Sequence, residues 1–217
     1  PPLELPYDRA KDLIRLHPPR EIRVSPIDLR EAIERRESLR EYKDAPLSLS
    51  EVSFLLWCTQ GVRQVMGRQF TFRTVPSAGA RHAFETYLLA NRVSDLEPGL
   101  YRYLALEHCL IELDTAADCA ERVTAACLNQ LFVKRSAVTF LWTAVAGRMT
   151  WRYGSRGYRY LHLDAGHVCQ NLCLAAEAVD CGACPVGAFD DDAVNAVLGI
   201  DGTEQFVIYI AALGKKR

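Results

Sequence analysis

With 217 residues, 49% of them hydrophobic and 24% charged, the chain is long enough to bury one sizeable core and has the balance of a soluble globular protein. Its 26 basic and 27 acidic side chains nearly cancel, which argues against a general nucleic-acid or membrane-surface binder. No apolar run approaches the roughly 18 residues of a membrane span, and the opening Pro1-Pro2-Leu3-Glu4 lacks the basic start and apolar core of a secretory leader, so a cytoplasmic location is expected.

Residues 1–24 carry proline and mixed charge without periodicity and read as an extended arm, leaving 25–217 as a single domain. Ser25-Pro26 predicts a helix running to about Arg36. Ser48-Leu49-Ser50-Glu51 is a capping box that opens a second helix, with Gly61 as its stop. Residues 62–75 read as a loop that leads into the small-residue turn Pro76–Ala80.

A strand is expected from Phe84 to Val93, and Pro98-Gly99 turns the chain into a hairpin of Leu100–Tyr103 and Leu110–Leu113. A helix capped by Asp114 or Thr115 follows and ends near Phe132. The apolar run Ala137–Trp142 suits a buried central strand. Residues 147–160 read as an Arg- and Tyr-rich loop, and His162–Val179 as a helix that is apolar almost all round. Cys184-Pro185-Val186 is an edge strand, Asp190 caps a short helix ending at Leu198-Gly199, and Phe206–Ile210 is a last buried strand. Helices and strands alternate without βαβ regularity, so the expected class is α+β.

Three stretches carry chemistry. Arg36-Glu37-Ser38-Leu39-Arg40 places two guanidinium forks and a hydroxyl where they can share the oxygens of a phosphate dianion. In Pro76-Ser77-Ala78-Gly79-Ala80 small residues allow backbone to approach a flat ligand closely. Pro185-Val186-Gly187-Ala188-Phe189-Asp190 offers backbone donors just after a strand. Together they point to a flavin mononucleotide site. Eight cysteines suit reduced thiols better than a disulfide framework. Cys169, Cys173, Cys181 and Cys184 could gather around zinc or an iron–sulfur cluster, but the bland reading as core thiols is preferred and no metal is assigned. Asp164, His167 and Gln170 share a helical face and are read as satisfying one another or nearby backbone.

The ordered set Arg156-Gly157-Tyr158-Arg159-Tyr160, Leu163–Leu172, Gly187–Asp191 and Ala212-Leu213-Gly214 resembles the nitroreductase superfamily of FMN enzymes, most of all its SagB-type branch, which includes azoline dehydrogenases. The resemblance implies a mainly antiparallel central sheet packed by helices, in an entwined homodimer with FMN at the subunit interface. It places Arg36, Ser38 and Arg40 on the phosphate. Pro76, Ser77 and Ala78 would reach the flavin from the partner subunit, and Gln130 would lie near the flavin or its ribityl chain. Gly187 and Ala188, after Pro185, would donate near N5, and Lys216 would complete the phosphate site. Tyr153 would position a substrate, whereas Arg152, in the place where peptide oxidases often carry lysine, cannot serve as a base at neutral pH. The implied activity is hydride exchange between NAD(P)H and a small nitroaromatic, quinone or other unsaturated acceptor. Two alternatives stand beside it: azoline oxidation in a modified peptide together with a partner protein, and a non-enzymatic flavin- or nucleic-acid-binding module.

Overall fold

The computed structural model describes residues 1–67 and 69–217. In chain order its elements are β1 (Leu13–Arg15), α1 (Leu29–Arg35), α2 (Leu49–Gln60), β2 (Val62–Met66), β3 (Phe70–Arg73), β4 (Phe84–Ala90), β5 (Gly99–Leu104), β6 (Cys109–Asp114), α3 (Cys119–Ala126), α4 (Phe132–Arg135), β7 (Val138–Val145), α5 (Ala146–Tyr153), α6 (Gly157–Glu177), β8 (Cys181–Val186), α7 (Asp191–Leu198) and β9 (Gln205–Lys215). Seven strands form one sheet in the order β1-β6-β5-β4-β7-β9-β8, and every neighbouring pair is antiparallel. The fold is α+β, as its residue pattern implies.

Side chains on a strand alternate between faces, and here both faces are buried. Phe84 and Leu88 of β4 and Phe140 and Trp142 of β7 join a core with Leu55 of α2 and Leu161, Val168 and Leu172 of α6. Tyr87, Leu89 and Leu141, from alternate positions, pack on the other side with Val123 of α3 and Val194 of α7. This two-sided burial explains the continuous apolar run in β7. The Ser48 capping box forms in full, and Asp190 and Gly199 close α7 at its two ends, Gly199 with φ 66°.

Several elements differ from expectation. Helix α1 begins three residues later, because the Asp28 carboxylate, accepting from Arg30 N and Glu31 N, provides the cap instead of Ser25. Val62–Met66 and Phe70–Arg73 pair as antiparallel strands, β2 and β3, with Gly67 at φ 58° just after the first. Charged and amide residues on β2 hide the strand pattern. The segment read as an Arg/Tyr loop is helical: α5 buries Arg148 and Met149 and breaks at Gly154, whose φ is 54°. Left-handed Leu128 and Asn129 split the predicted 114–132 helix into α3 and α4. Helix α6 starts at Gly157 and leaves His162, Leu163, His167 and Gln170 exposed, so it is one-sided. No helix among the described residues is long and apolar enough to cross a membrane.

The arm is tied down. Its β1 pairs with β6, and farther upstream the Glu4 carboxylate accepts from the N–H groups of Ala105 (2.6 Å) and Leu106 (3.3 Å). Burial first, then the like charges of Glu85 and Glu107, push the Glu4 pKa from 4.5 up to about 7. The docked arm therefore binds more protons than a released one. Docking is strongest in acid and weakens as pH rises from 4.5 through about 7. The amide resonances of Ala105 and Leu106 are expected to titrate with a midpoint near 7, and a midpoint near 4.5 would mean that Glu4 is solvated.

Candidate cofactor-binding site

Helix α1 ends where the Arg36 N–H reaches the Ala32 carbonyl, and the chain then leaves in an extended path. That path is laid across the end of the sheet. Leu39 N donates to Ala183 O (3.1 Å), Ser38 bridges to Ala183, and Lys43 N donates to Lys215 O (3.0 Å). The Tyr42 hydroxyl returns to Leu39 O at 2.8 Å. Two glycines permit this close approach. A Cβ on Gly182 would lie 2.6 Å from Leu39 Cδ2, and one on Gly214 would lie 2.7 Å from the Tyr42 ring. Gly182→Ala is expected to lift the 36–42 segment off β8, lowering stability by about 1–3 kcal/mol. A thermal melt indistinguishable from wild type would show that Leu39 gives way freely.

Arg35, Lys215, Lys216 and Arg217 all engage carboxylates. Arg36 and Arg40 form no ion pair among the described residues, and Ser38 is exposed. Lys216 Nζ lies 2.5 Å from the buried Glu177 carboxylate, which also has Arg35 at 3.6 Å. The Arg40 guanidinium sits 5.9 Å over the Phe132 ring at the start of α4.

Two residues before Phe132, Gln130 Nε2 donates to Ala188 O (2.8 Å) and Cys127 O (2.9 Å). Asp190 N reaches Ala126 O at 2.8 Å. The loop after β8 is thereby fastened beside α4. Pro185 still belongs to the ladder opposite Ala211, which ends at Val186; Gly187 and Ala188 beyond it are exposed. A Cβ on Gly187 would meet nothing within 4 Å, so the space in front of this backbone is open. The Arg40–Phe132 contact, the two residues of chain back to Gln130 and the Gln130–Ala188 hydrogen bond thus bring Arg40 and the Gly187-Ala188 backbone into one neighbourhood.

The Pro76–Ala80 turn is built elsewhere in the chain. The Ser77 hydroxyl donates to Asp164 Oδ2 at 2.6 Å, Ala78 N donates to Asp164 Oδ1 at 3.2 Å, and His82 N donates to Ser77 Oγ at 2.9 Å. Burial raises the Asp164 carboxyl, opposed by these hydrogen bonds and by His167. Gly79 and Ala80 are left-handed, at φ 57° and 54°. A Cβ on Gly79 would fall 2.4 Å from the Tyr153 hydroxyl, so Tyr153 lies directly on the turn. Arg81 covers Trp151 and Arg152 covers Tyr153, each at 5.6 Å, making the turn and α5 one unit.

Asp164 anchors the turn, a role not legible from its helical spacing with His167 and Gln170, because Ser77 lies 87 residues away. On the same helix, Cys173 lies toward the other neighbourhood. Its thiol is lowered by a hydrogen bond with Cys169, helped by the charge of Arg36. Nine residues of helix separate Asp164 from Cys173, roughly 13 Å along the axis. Within one chain the turn and the Arg36–Gly187 neighbourhood are therefore distinct. All eight cysteines are free thiols, and no group of three or more His, Cys, Asp or Glu among the described residues is placed to hold a metal ion.

This framework matches known proteins. The model of the Nitroreductase family covers residues 33–215. A protein of Methanocaldococcus jannaschii classed as a nitroreductase is 33% identical over 193 residues, 89% of this chain and 93% of the relative. The trifolitoxin-processing protein TfxB of Rhizobium leguminosarum bv. trifolii is 29% identical over 133 residues, 59% of this chain and 36% of that protein. A solved structure from Anabaena variabilis, classed as a nitroreductase, superposes with a TM-score of 0.77 at 30% identity, covering 96% of this chain and 42% of that one. The NADPH:FMN oxidoreductase of Vibrio harveyi, solved with NAD+, shares the fold at a TM-score of 0.61 and 14% identity over 86% of this chain and 68% of that one. The family model over residues 33–215 and the 33% identity over 193 residues agree on one assignment: the chain belongs to the nitroreductase family of oxidoreductases.

Proposed function

We propose that the chain binds FMN between Arg36–Arg40 and the Gly187–Ala188 end of β8, and that it is an oxidoreductase fed by NAD(P)H. The carrying observation is that Arg36 and Arg40, which form no ion pair among the described residues, lie with Ser38 on a segment pinned to the strand that ends at the open Gly187. The donor set fits the cofactor: two unpaired guanidinium groups and a hydroxyl suit its phosphate, and an open stretch of backbone suits its ring. Bound FMN supplies two-electron hydride chemistry, linking a nicotinamide donor to a nitroaromatic, quinone or other unsaturated acceptor.

The protein's own part is positional. Arg36, Ser38 and Arg40 hold the phosphate, Gln130 fixes the loop that presents the Gly187 and Ala188 N–H groups, and those groups donate without titrating. Asp164 holds the Pro76, Ser77 and Ala78 turn, and Tyr153 beside it orients a substrate. A homodimer would bring that turn to the site of the other copy. The exposed apolar residues Leu29, Ile33 and Leu163 support such a covered face. Lys216, engaged with Glu177, would contribute only by exchanging that partner.

Anaerobic titration tests the reading. The purified protein reconstituted with FMN should be yellow, bleach with NADH or NADPH, and regain colour with a quinone or nitroaromatic. Failure to bind FMN at micromolar concentrations, or bound FMN that neither nicotinamide reduces, overturns it. A second reading, azoline oxidation with a partner protein and oxygen as acceptor, is favoured by likeness to the trifolitoxin-processing protein. Arg152 opposes a lysine-type base at that position. Oxidation of an azoline-bearing peptide in air, without nicotinamide, decides between them.

A further inference from the structure

The N-terminal arm is held in an unusual way. Residues 1–12 enter no strand of the sheet, yet the backbone of Pro2–Pro6 is gripped by side chains from four distant elements. Arg148 Nε of α5 donates to Pro2 O at 2.8 Å, and Arg73 Nη2 of β3 reaches Leu3 O at 3.5 Å. From β5, Arg102 donates to Leu5 O (2.6 Å) and Pro6 O (3.0 Å). Glu85 of β4 accepts the Leu5 N–H at 2.8 Å. Glu4 seats its carboxylate on two backbone N–H groups, at Ala105 and Leu106.

The gripping residues form a site in their own right. Arg73, Arg102, Arg148 and Glu85 are 4%, 6%, 2% and 3% exposed. Glu85 pairs with both Arg102 and Arg148, while the third buried cation, Arg73, donates to Gln60 Oε1 and Thr71 Oγ1. His82, kept neutral by burial and by Arg73, adds no charge. Among the described residues Arg148 Nη1 has no hydrogen-bond partner even with the arm in place. Such a cluster demands an occupant rich in acceptors, and the carbonyls of an extended peptide provide them, while Glu4 fixes its register on the Ala105 and Leu106 N–H groups. Proline at positions 2 and 6 lacks an N–H and is already extended, so little is left unsatisfied and ordering costs little.

We propose that Arg73, Glu85, Arg102 and Arg148 form a peptide-binding groove for an extended Pro-Xaa-Glu-Xaa-Pro segment, which the chain's own residues Pro2–Pro6 occupy as a detachable strap. The exposed stretch at residues 8–12 is the hinge between strap and β1. Because tethering gives the strap an effective concentration in the range of about millimolar, a free peptide competes poorly until the strap is weakened. The groove adjoins the candidate site: Arg148 precedes Arg152 by one turn of α5, the helix that sets Tyr153 on the Gly79 turn. This inference does not depend on the flavin reading.

The test uses the full chain, without cofactor, at about pH 6, below the raised pKa of docked Glu4 where docking is favoured. A fluorescent peptide of residues 1–9 is titrated into wild type and into the Glu4→Ala chain, with trypsin cleavage after Arg9 reporting release of the strap. Expected are at least tenfold faster cleavage of Glu4→Ala, at least tenfold tighter peptide binding to it than to wild type, and at least tenfold weaker binding of a peptide that itself carries Glu4→Ala. Unchanged cleavage together with absent peptide binding would show a permanent part of the fold and overturn the proposal. Faster cleavage with no saturable peptide binding, or equal binding of the two peptides, would also overturn it.

Discussion

Glu85→Ala is expected to lower the unfolding free energy by about 3–5 kcal/mol, the usual cost of leaving a buried partner charge uncompensated. Glu85 is 3% exposed, accepts from Arg102 and Arg148, and also takes the Leu5 N–H of the arm. Its removal leaves two arginines in the interior with only backbone carbonyls to answer them. Glu34→Ala is the matched control: its partner Arg30 is 85% exposed, and the loss should stay within about 0.5 kcal/mol. Urea unfolding of the two variants beside wild type is the measurement. Equal midpoints would mean that water already reaches the Glu85 nest.

Arg36→Ala and Arg40→Ala are each expected to weaken FMN binding by about 1.5–3 kcal/mol, the range for hydrogen bonds to charged groups. That is roughly a 10- to 150-fold rise in Kd, read by quenching of flavin fluorescence. Stability should hardly change, since among the described residues neither side chain has a carboxylate partner to lose. Lys216→Ala should do the opposite. It strips the buried Glu177 of its 2.5 Å partner, leaving Arg35 at 3.6 Å, so stability falls while FMN affinity holds. Equal loss of affinity in all three variants would mean that the phosphate draws Lys216 away from Glu177.

What could be read directly from the chain was local. Ser48 with Glu51, Asp190 with Ala193 and Gly199 act within a few residues of themselves, so their chemistry is complete in the sequence. The run 137–142 is apolar at successive positions because both sheet faces are covered, and that too is visible without coordinates. Arg36, Ser38 and Arg40 are legible as an anion-binding triplet because their groups sit on five consecutive residues.

Tertiary structure alone decided the long-range pairings. The β2–β3 pair was hidden because β2 carries Arg63 and Gln64, and pairing rather than apolar alternation makes it a strand. Asp164 finds Ser77 across 87 residues, Arg148 finds Glu85 across 63, and Arg102 finds Leu5 across 97. An isolated carboxylate or guanidinium reads as solvated surface until folding removes its water. The energetic need for a partner arises only in the buried state, which is why a string of residues cannot announce it.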